Sequence, residues 1–294
     1  MDSRSITEDL VTRLIADQFP QWAHLTVRRV EPGGNDNRTF RVGDEFSARL
    51  PSAEGYVAAV EKEHRYLPRL AAAVPVAIPE PVALGEPGHG YPWPWTVNRW
   101  MPGRDLLSGP DIDRRALAAD LAGVLVALRR ADAADGPAAG AHSFFRGAPP
   151  EYYDEETRRL LAELGGVVAS EVLREAQRVW DAALESRWGQ APVWFHGDVA
   201  HGNLLVSDGR LSGLIDFGTS GVGDPACDLV MAWTYFDDDD RRLFVEAVDL
   251  DAGTWARARG WALWKALLIA RERGIHDSGG LPIVTRVLAD PIAE

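Results

Sequence analysis

Val193-Trp194-Phe195-His196-Gly197-Asp198-Val199-Ala200-His201-Gly202-Asn203-Leu204-Leu205-Val206, followed by Gly213-Leu214-Ile215-Asp216-Phe217-Gly218, is the stretch from which the rest of the chain is read. It sets an Asp at 198, an Asn at 203 and a second Asp at 216. Apolar β-formers flank both polar clusters. Residues 193–195 read as a short strand entering a loop, and 204–206 and 211–215 as two strands joined by the turn Ser207-Asp208-Gly209-Arg210. Such a hairpin carries Asn203 at one end and Asp216 at the other, on one side, with Asp198 on the loop before it. One carboxylate can take the proton of an attacking hydroxyl, while the Asn203 amide oxygen and the Asp216 carboxylate are hard ligands suited to Mg²⁺. Moving a phosphoryl group from a metal-bound nucleotide asks mainly for positioning and charge neutralisation, and this set suffices. A single acid in a loop usually caps a helix or sits in water; an ordered set at this spacing carries more information.

The chain of 294 residues fits one large or two modest domains, and an apolar content of 46% is enough for a real core. One cysteine excludes an intramolecular disulfide and a cysteine-rich metal site, which suits a reducing cytoplasm. The N-terminus is polar and acidic, without the apolar segment of a signal peptide, and no apolar run approaches membrane-spanning length. Net charge is −13, of which −2 falls up to Gly103 and −11 beyond it. Nucleic acid and anionic membrane are poor partners for such a surface, and a polycationic ligand would be drawn to it, although many proteins are acidic simply for solubility. No obligate protein partner is evident. Two lysines, Lys62 and Lys265, stand beside 29 arginines, a bias read here as coding rather than function.

Upstream, 7–19 reads as an amphipathic helix capped by Thr7. Residues 25–30, 38–42 and 46–50 read as three consecutive antiparallel strands, the first two joined by Pro32-Gly33-Gly34-Asn35-Asp36-Asn37. A helix over 58–72 follows, and 78–82 and 91–97 read as edge strands interrupted by proline. Further helices are predicted over 111–130, 151–164, 171–188, 241–248, 254–273 and 281–288. Asp237-Asp238-Asp239-Asp240 reads first as negative charge at a helix N-terminus.

His196-Gly197-Asp198-x-x-x-x-Asn203 followed by Ile215-Asp216-Phe217-Gly218, and then Gly223-Asp224-Pro225-Ala226-Cys227-Asp228-Leu229, resembles the aminoglycoside phosphotransferase and choline kinase group, small-molecule relatives of protein kinases. The resemblance implies an α+β, bilobal, protein-kinase-like fold: residues 1–102 as a nucleotide-binding lobe with an antiparallel sheet and a helix, and 103–294 as a mostly helical catalytic and substrate-binding lobe. It implies Asp198 as the base, Asn203 and Asp216 as Mg²⁺ ligands, and ATP or GTP as phosphoryl donor. His196 would brace the loop, Asp224 and Asp228 would hold backbone amides, and Cys227 would be a buried small residue. Gly33, Gly34 and Asn35 would lie over the phosphates. Arg49 would replace the family's phosphate-binding Lys, oriented by Glu63, with Lys62 the second choice. Backbone groups at Asn98, Arg99 and Trp100 would meet the adenine edge. The acceptor would be the hydroxyl of an aminoglycoside or similar cationic antibiotic, its amines received by Glu155, Glu156, Asp237, Glu272 and Glu294. Choline, homoserine, a sugar derivative or a macrolide are the other acceptors, and a nucleotide-binding pseudokinase is the reading from another class.

Overall fold

The computed structural model describes residues 5–31, 33–34, 36–109, 111–273 and 280–289. Helix α1 (Glu8–Gln18) starts where the Thr7 hydroxyl accepts from the Leu10 amide, and it buries Leu10, Val11, Leu14 and Ile15. Strands β1 (Val27–Arg29), β2 (Asn37–Val42) and β3 (Phe46–Pro51) run consecutively antiparallel. After α2 (Ala58–Ala71), β4 (Pro81–Gly85) and β5 (Trp95–Arg99) complete a five-stranded sheet in the order β1-β2-β3-β5-β4. The expectation of two edge strands therefore holds only for the first. Strand β5 lies between β3 and β4, because its prolines at 92 and 94 precede the strand and leave its amides free for the ladder. Phe40, Val42, Ala48, Leu50, Trp95 and Val97 share one face of this sheet and pack against α1.

The remainder is mostly helical. A two-residue strand β6 (Arg104–Asp105) leads to α3 (Arg114–Arg130), capped by Asp113 rather than Asp111. Helices α4 (Asp154–Leu164) and α5 (Ser170–Glu185) follow, then β7 (Val193–Phe195), the hairpin β8 (Leu204–Ser207) and β9 (Arg210–Leu214), and β10 (Gly221–Gly223). Helices α6 (Met231–Thr234), α7 (Asp238–Val248), α8 (Ala252–Arg273) and α9 (Gly280–Ala289) close the chain. Strand β6 extends the hairpin on the β8 side, and β10 pairs with β7. Helix α8 is buried on most of its circumference by Trp255, Trp261, Leu263, Trp264 and Leu267, as a central helix must be. The acids 238–240 occupy the first turn of α7, as expected from the helix dipole. Among the described residues, no helix is long and apolar enough to cross a membrane.

Two contacts tie the sheet-bearing part to the hairpin. Ala77 donates to the Ser212 carbonyl at 3.1 Å and accepts from the Leu214 amide at 3.0 Å. Tyr66, Leu67 and Leu70 of α2 belong to the core of the helical part, not to the core beneath the sheet.

A buried ion pair fixes α8 against the segment after β10. Arg257, 1% exposed, donates from Nε to Asp224 Oδ2 at 2.6 Å and from Nη2 to Oδ1 at 3.3 Å. Its remaining donors reach the Ser186 and Thr254 hydroxyls at 2.6 and 3.1 Å. Removing one member leaves the other charge buried and unmatched. Arg257→Leu is expected to lower unfolding stability by about 3–5 kcal/mol, read from urea unfolding followed by tryptophan fluorescence.

Candidate active site

The loop after β7 is built from backbone geometry that its sequence forces. Gly197 sits at φ +89°, and a Cβ there would lie 2.7 Å from the Thr219 carbonyl oxygen and 2.8 Å from its hydroxyl. Only glycine fits the conformation and the space. The Asp228 carboxylate, 3% exposed, accepts from the His196 amide and the Gly197 amide, each at 2.7 Å. The His196 ring, fully buried, accepts from the Asp198 amide at Nδ1 (3.2 Å) and donates from Nε2 to the Ile215 carbonyl (3.0 Å). It thereby braces both polar clusters of the motif. Cys227 is buried, and burial pushes its thiol well up. The Ile215 amide donates to the Asn203 carbonyl at 2.9 Å, so the hairpin brings Asn203 and Asp216 to the same end.

Three residues expected to act together do meet. Asn203 Nδ2 donates to the Asp198 carbonyl at 2.9 Å and to its Oδ2 at 3.1 Å. Asp216 stands at φ +68°, a left-handed conformation for a non-glycine residue, and its Oδ1 accepts from Arg49 Nη2 at 3.0 Å. Arg49 Nη1 reaches Glu63 Oε2 at 3.2 Å, so a strand cation is oriented by a carboxylate of α2 and extended to the hairpin. Glu63 is 6% exposed; burial raises its carboxyl, and Arg49 opposes that rise.

Lys62 acts on Glu63 and Asp216 through its charge but is bonded elsewhere. Its ammonium turns to the backbone, donating to the carbonyls of Gly218 at 2.7 Å and Ser220 at 2.8 Å, with His142 Nδ1 at 3.3 Å. It clasps the segment that follows Asp216. Burial lowers its pKa from 10.5 to about 8.

At the sheet, Asn98 shares a face with Ser47, Thr96 and Arg49, as the β3–β5 register requires. Its side chain is 2% exposed, and neither its Oδ1 nor its Nδ2 has a hydrogen-bond partner. The neighbouring backbone donors are engaged: the Arg99 amide donates to the Glu80 carbonyl at 2.9 Å and the Trp100 amide to the Glu45 carbonyl at 2.7 Å. These two amides are thus occupied within the protein, against expectation, and the Asn98 side chain is the unsatisfied group. Gly33 and Gly34 lie in the loop between β1 and β2 with no close backbone approach, while Asn35 falls outside the described residues.

Of the five acids expected to receive an amine-rich ligand, the described four do not gather. Glu155 and Glu272 are exposed. Glu156 Oε2 accepts from Trp264 Nε1 at 2.9 Å, and Asp237 pairs with Arg114 at 3.3 Å. Glu294 lies outside the described residues. Long side chains on helix faces give no sign in a sequence of where they converge.

Several further residues enter the site. Asp36, from the loop between β1 and β2, is raised by burial and by the neighbouring charges of Asp216 and Asp198. Lys265, from α8, bonds Asp198 Oδ1 at 2.8 Å. Burial pushes Asp198 up, but the charge and hydrogen bond of Lys265 outweigh it and hold the carboxyl below its ordinary value. Burial, helped by Lys265, lowers His201, whose ring packs 5.0 Å from Tyr235. Beside Asp198 opens a small cavity whose walls include Arg146, Asp198, Trp261, Trp264 and Lys265. The Trp261–Trp264 stripe is therefore core on one side and cavity wall on the other.

Two predictions follow from this geometry. Gly197→Ala should push the loop off Thr219 and lower stability by about 2–4 kcal/mol, measured by chemical unfolding. Lys62 holds a proton less tightly folded than unfolded, so between pH 8 and 10.5 the unfolded chain binds more of it and stability rises with pH. Wild type should therefore gain up to about 3 kcal/mol relative to Lys62→Met across that window, compared in parallel urea titrations.

The family model described as the phosphotransferase enzyme family matches residues 26–261. Among solved structures, a GDP complex of a point mutant of an aminoglycoside 2'-phosphotransferase is similar at 21% identity, with a TM-score of 0.72, over 96% of this chain and 98% of that one. The GDP and kanamycin complex of a related aminoglycoside phosphotransferase is 20% identical, with a TM-score of 0.70, over 95% and 98%. A macrolide 2'-phosphotransferase from Brachybacterium faecium, as apoenzyme, is 20% identical, with a TM-score of 0.59, over 98% and 99%. At these identities the likeness is one of fold. No curated protein has a matching sequence.

Proposed function

This chain belongs to the phosphotransferase enzyme family, and on that footing we propose that it transfers the γ-phosphoryl group of ATP or GTP to a hydroxyl of a small molecule. Residues 1–102 would bind the nucleotide, and residues 103–294 would supply the catalytic loop and acceptor site. The observation that carries the reading is the convergence of Asp198, Asn203 and Asp216 at one end of the β8–β9 hairpin, with Arg49 bridging Asp216 to Glu63.

The residues present fit a nucleotide and Mg²⁺. The unpartnered Asn98 amide offers a donor and an acceptor, as the edge of a purine demands. Asp36 and Asp216 stand close enough to repel one another, a cost that a divalent cation would relieve. Mg²⁺ is commonly held by one or two protein oxygens plus phosphates, and Asn203 and Asp216 would hold it here. Bound there, it would neutralise negative charge on the phosphates. Arg49 would bind phosphate oxygens while Glu63 fixes its direction. Lys62, by clasping the carbonyls after Asp216, would keep that carboxylate aimed. Asp198, oriented by Asn203, would accept the hydroxyl proton as the acceptor oxygen bonds to the γ-phosphorus. The bond from that phosphorus to the leaving diphosphate breaks, and its electron pair stays with the diphosphate.

The acceptor is open at a finer level. An aminoglycoside or similar cationic antibiotic is supported by the net charge of −13 and by the kanamycin bound in a similar structure. A metabolite acceptor, such as a sugar derivative or homoserine, is favoured by the two cations facing the cavity beside Asp198. Labelled ATP and GTP offered with kanamycin, a macrolide, choline, homoserine and sugars would identify the class. Asp198→Asn should lower kcat about 10³-fold while the protein still binds Mg-nucleotide, as seen by thermal shift. Wild type that binds nucleotide and transfers phosphate to no acceptor would favour the pseudokinase reading.

A further inference from the structure

The cavity beside Asp198 has a charge pattern that its walls do not balance. Arg146 is half-buried, its guanidinium carbon 4.2 Å from the Trp264 ring, 5.0 Å from Tyr153 and 5.4 Å from Trp261. It donates to the Tyr153 hydroxyl, which in turn donates to the Phe144 carbonyl. Among the described residues, no carboxylate lies within ion-pair distance of it. The nearby acids are committed elsewhere: Asp228 to two backbone amides, Asp224 to Arg257, and Glu156 to the Trp264 indole. Lys265 adds a second cation on the same wall, and Asp198 is its one carboxylate partner there. A guanidinium withdrawn from water onto aromatic faces, with part of its fork unused, is suited to a planar oxyanion held through two parallel hydrogen bonds.

The cavity lies on the acceptor side. Arg49, Asn203 and Asp216, which would handle the nucleotide phosphates, do not line it, whereas Asp198, which would take the hydroxyl proton, does. An amine entering here would face two positive charges against one negative.

We propose that this cavity binds the acceptor, that Arg146 and Lys265 grip an anionic group on it, and that the acceptor is a small hydroxylated carboxylic acid rather than a polyamine. The inference rests on the phosphotransferase reading for the reaction, but not for the binding. In the reaction, the acid's hydroxyl oxygen bonds to the γ-phosphorus, its proton passes to Asp198, and the nucleoside diphosphate leaves with the electron pair of the broken bond.

Matched triples that differ in charge test it: glucuronate, glucose and glucosamine, and glycerate, glycerol and serinol. Each is titrated calorimetrically into the full chain and offered with Mg-ATP and Mg-GTP. The acids are expected to bind and to receive phosphate with kcat/KM at least about tenfold above their neutral counterparts, the amines being poorest. Arg146→Gln, and separately Lys265→Met, should collapse the acid-to-neutral ratio towards one, with Arg146→Lys restoring part of it. A role in packing alone would leave that ratio unchanged. Preference for the amines, or a ratio unmoved in both variants, would overturn the proposal. If no member receives phosphate, the phosphotransferase reading is judged by the wider acceptor panel, and the titrations alone decide the subsite. Acid binding lost in Arg146→Gln sustains it, and no acid binding to wild type overturns it.

Discussion

One guanidinium holds the two halves of the cleft in register. Arg49 leaves the middle of the sheet, meets Glu63 on α2 with one nitrogen and Asp216 at the end of the hairpin with another, and is largely withdrawn from solvent. A compact ammonium could satisfy one carboxylate well; a planar fork satisfies two in fixed directions. That difference gives a physical sense to the arginine at a position where the family resemblance leads one to expect lysine. Burial of Glu63 makes the arrangement mutually dependent, because either charge without the other would be costly at that depth. The same junction is supported by the backbone bonds of Ala77 to the hairpin and by Lys62, which clasps the carbonyls of Gly218 and Ser220.

The loop after β7 rests on a second set of constraints that involve no charge transfer at all. Asp228 gathers the amides of His196 and Gly197, and the imidazole of His196 reaches forward to Asp198 and across to Ile215. Gly197 supplies the turn that makes those bonds possible. The segment that carries Asp198 is therefore set by backbone geometry before any ligand arrives, as preorganisation requires.

Much of this was legible in the sequence because it is local. The spacing of Asp198, Asn203 and Asp216 encodes a loop and a hairpin, and a hairpin brings its two ends together by construction. The sheet strands and the capping of α1 by Thr7 follow from alternation and turn residues, whereas the pairing of Arg49 with Glu63 came only from the family resemblance. Lys265 and Arg146 were not legible. Lys265 sits in a helix that is buried on most of its circumference, and its partner is 67 residues away. Arg146 lies in an irregular segment with no periodicity to mark a face. Strand β5 was misplaced at an edge because proline in a sequence does not reveal on which side of the strand's start it falls. The acids expected to receive amines failed for the same reason as Lys265 was missed: side-chain convergence between helices leaves no trace in one-dimensional spacing.

The scarcity of lysine takes on another meaning once the two are located. Lys62 is enclosed behind the segment after Asp216, and Lys265 is bound to Asp198, so neither sits idle on the outer surface. Where a small round charge must fit among carbonyls or beside one oxygen, the amine has been kept; the guanidinium serves the rest of the chain. Acylating and aldehyde reagents would consequently find few targets outside the cleft. Chemical labelling of side-chain amines would register events in the cleft itself, against almost no background from the exterior.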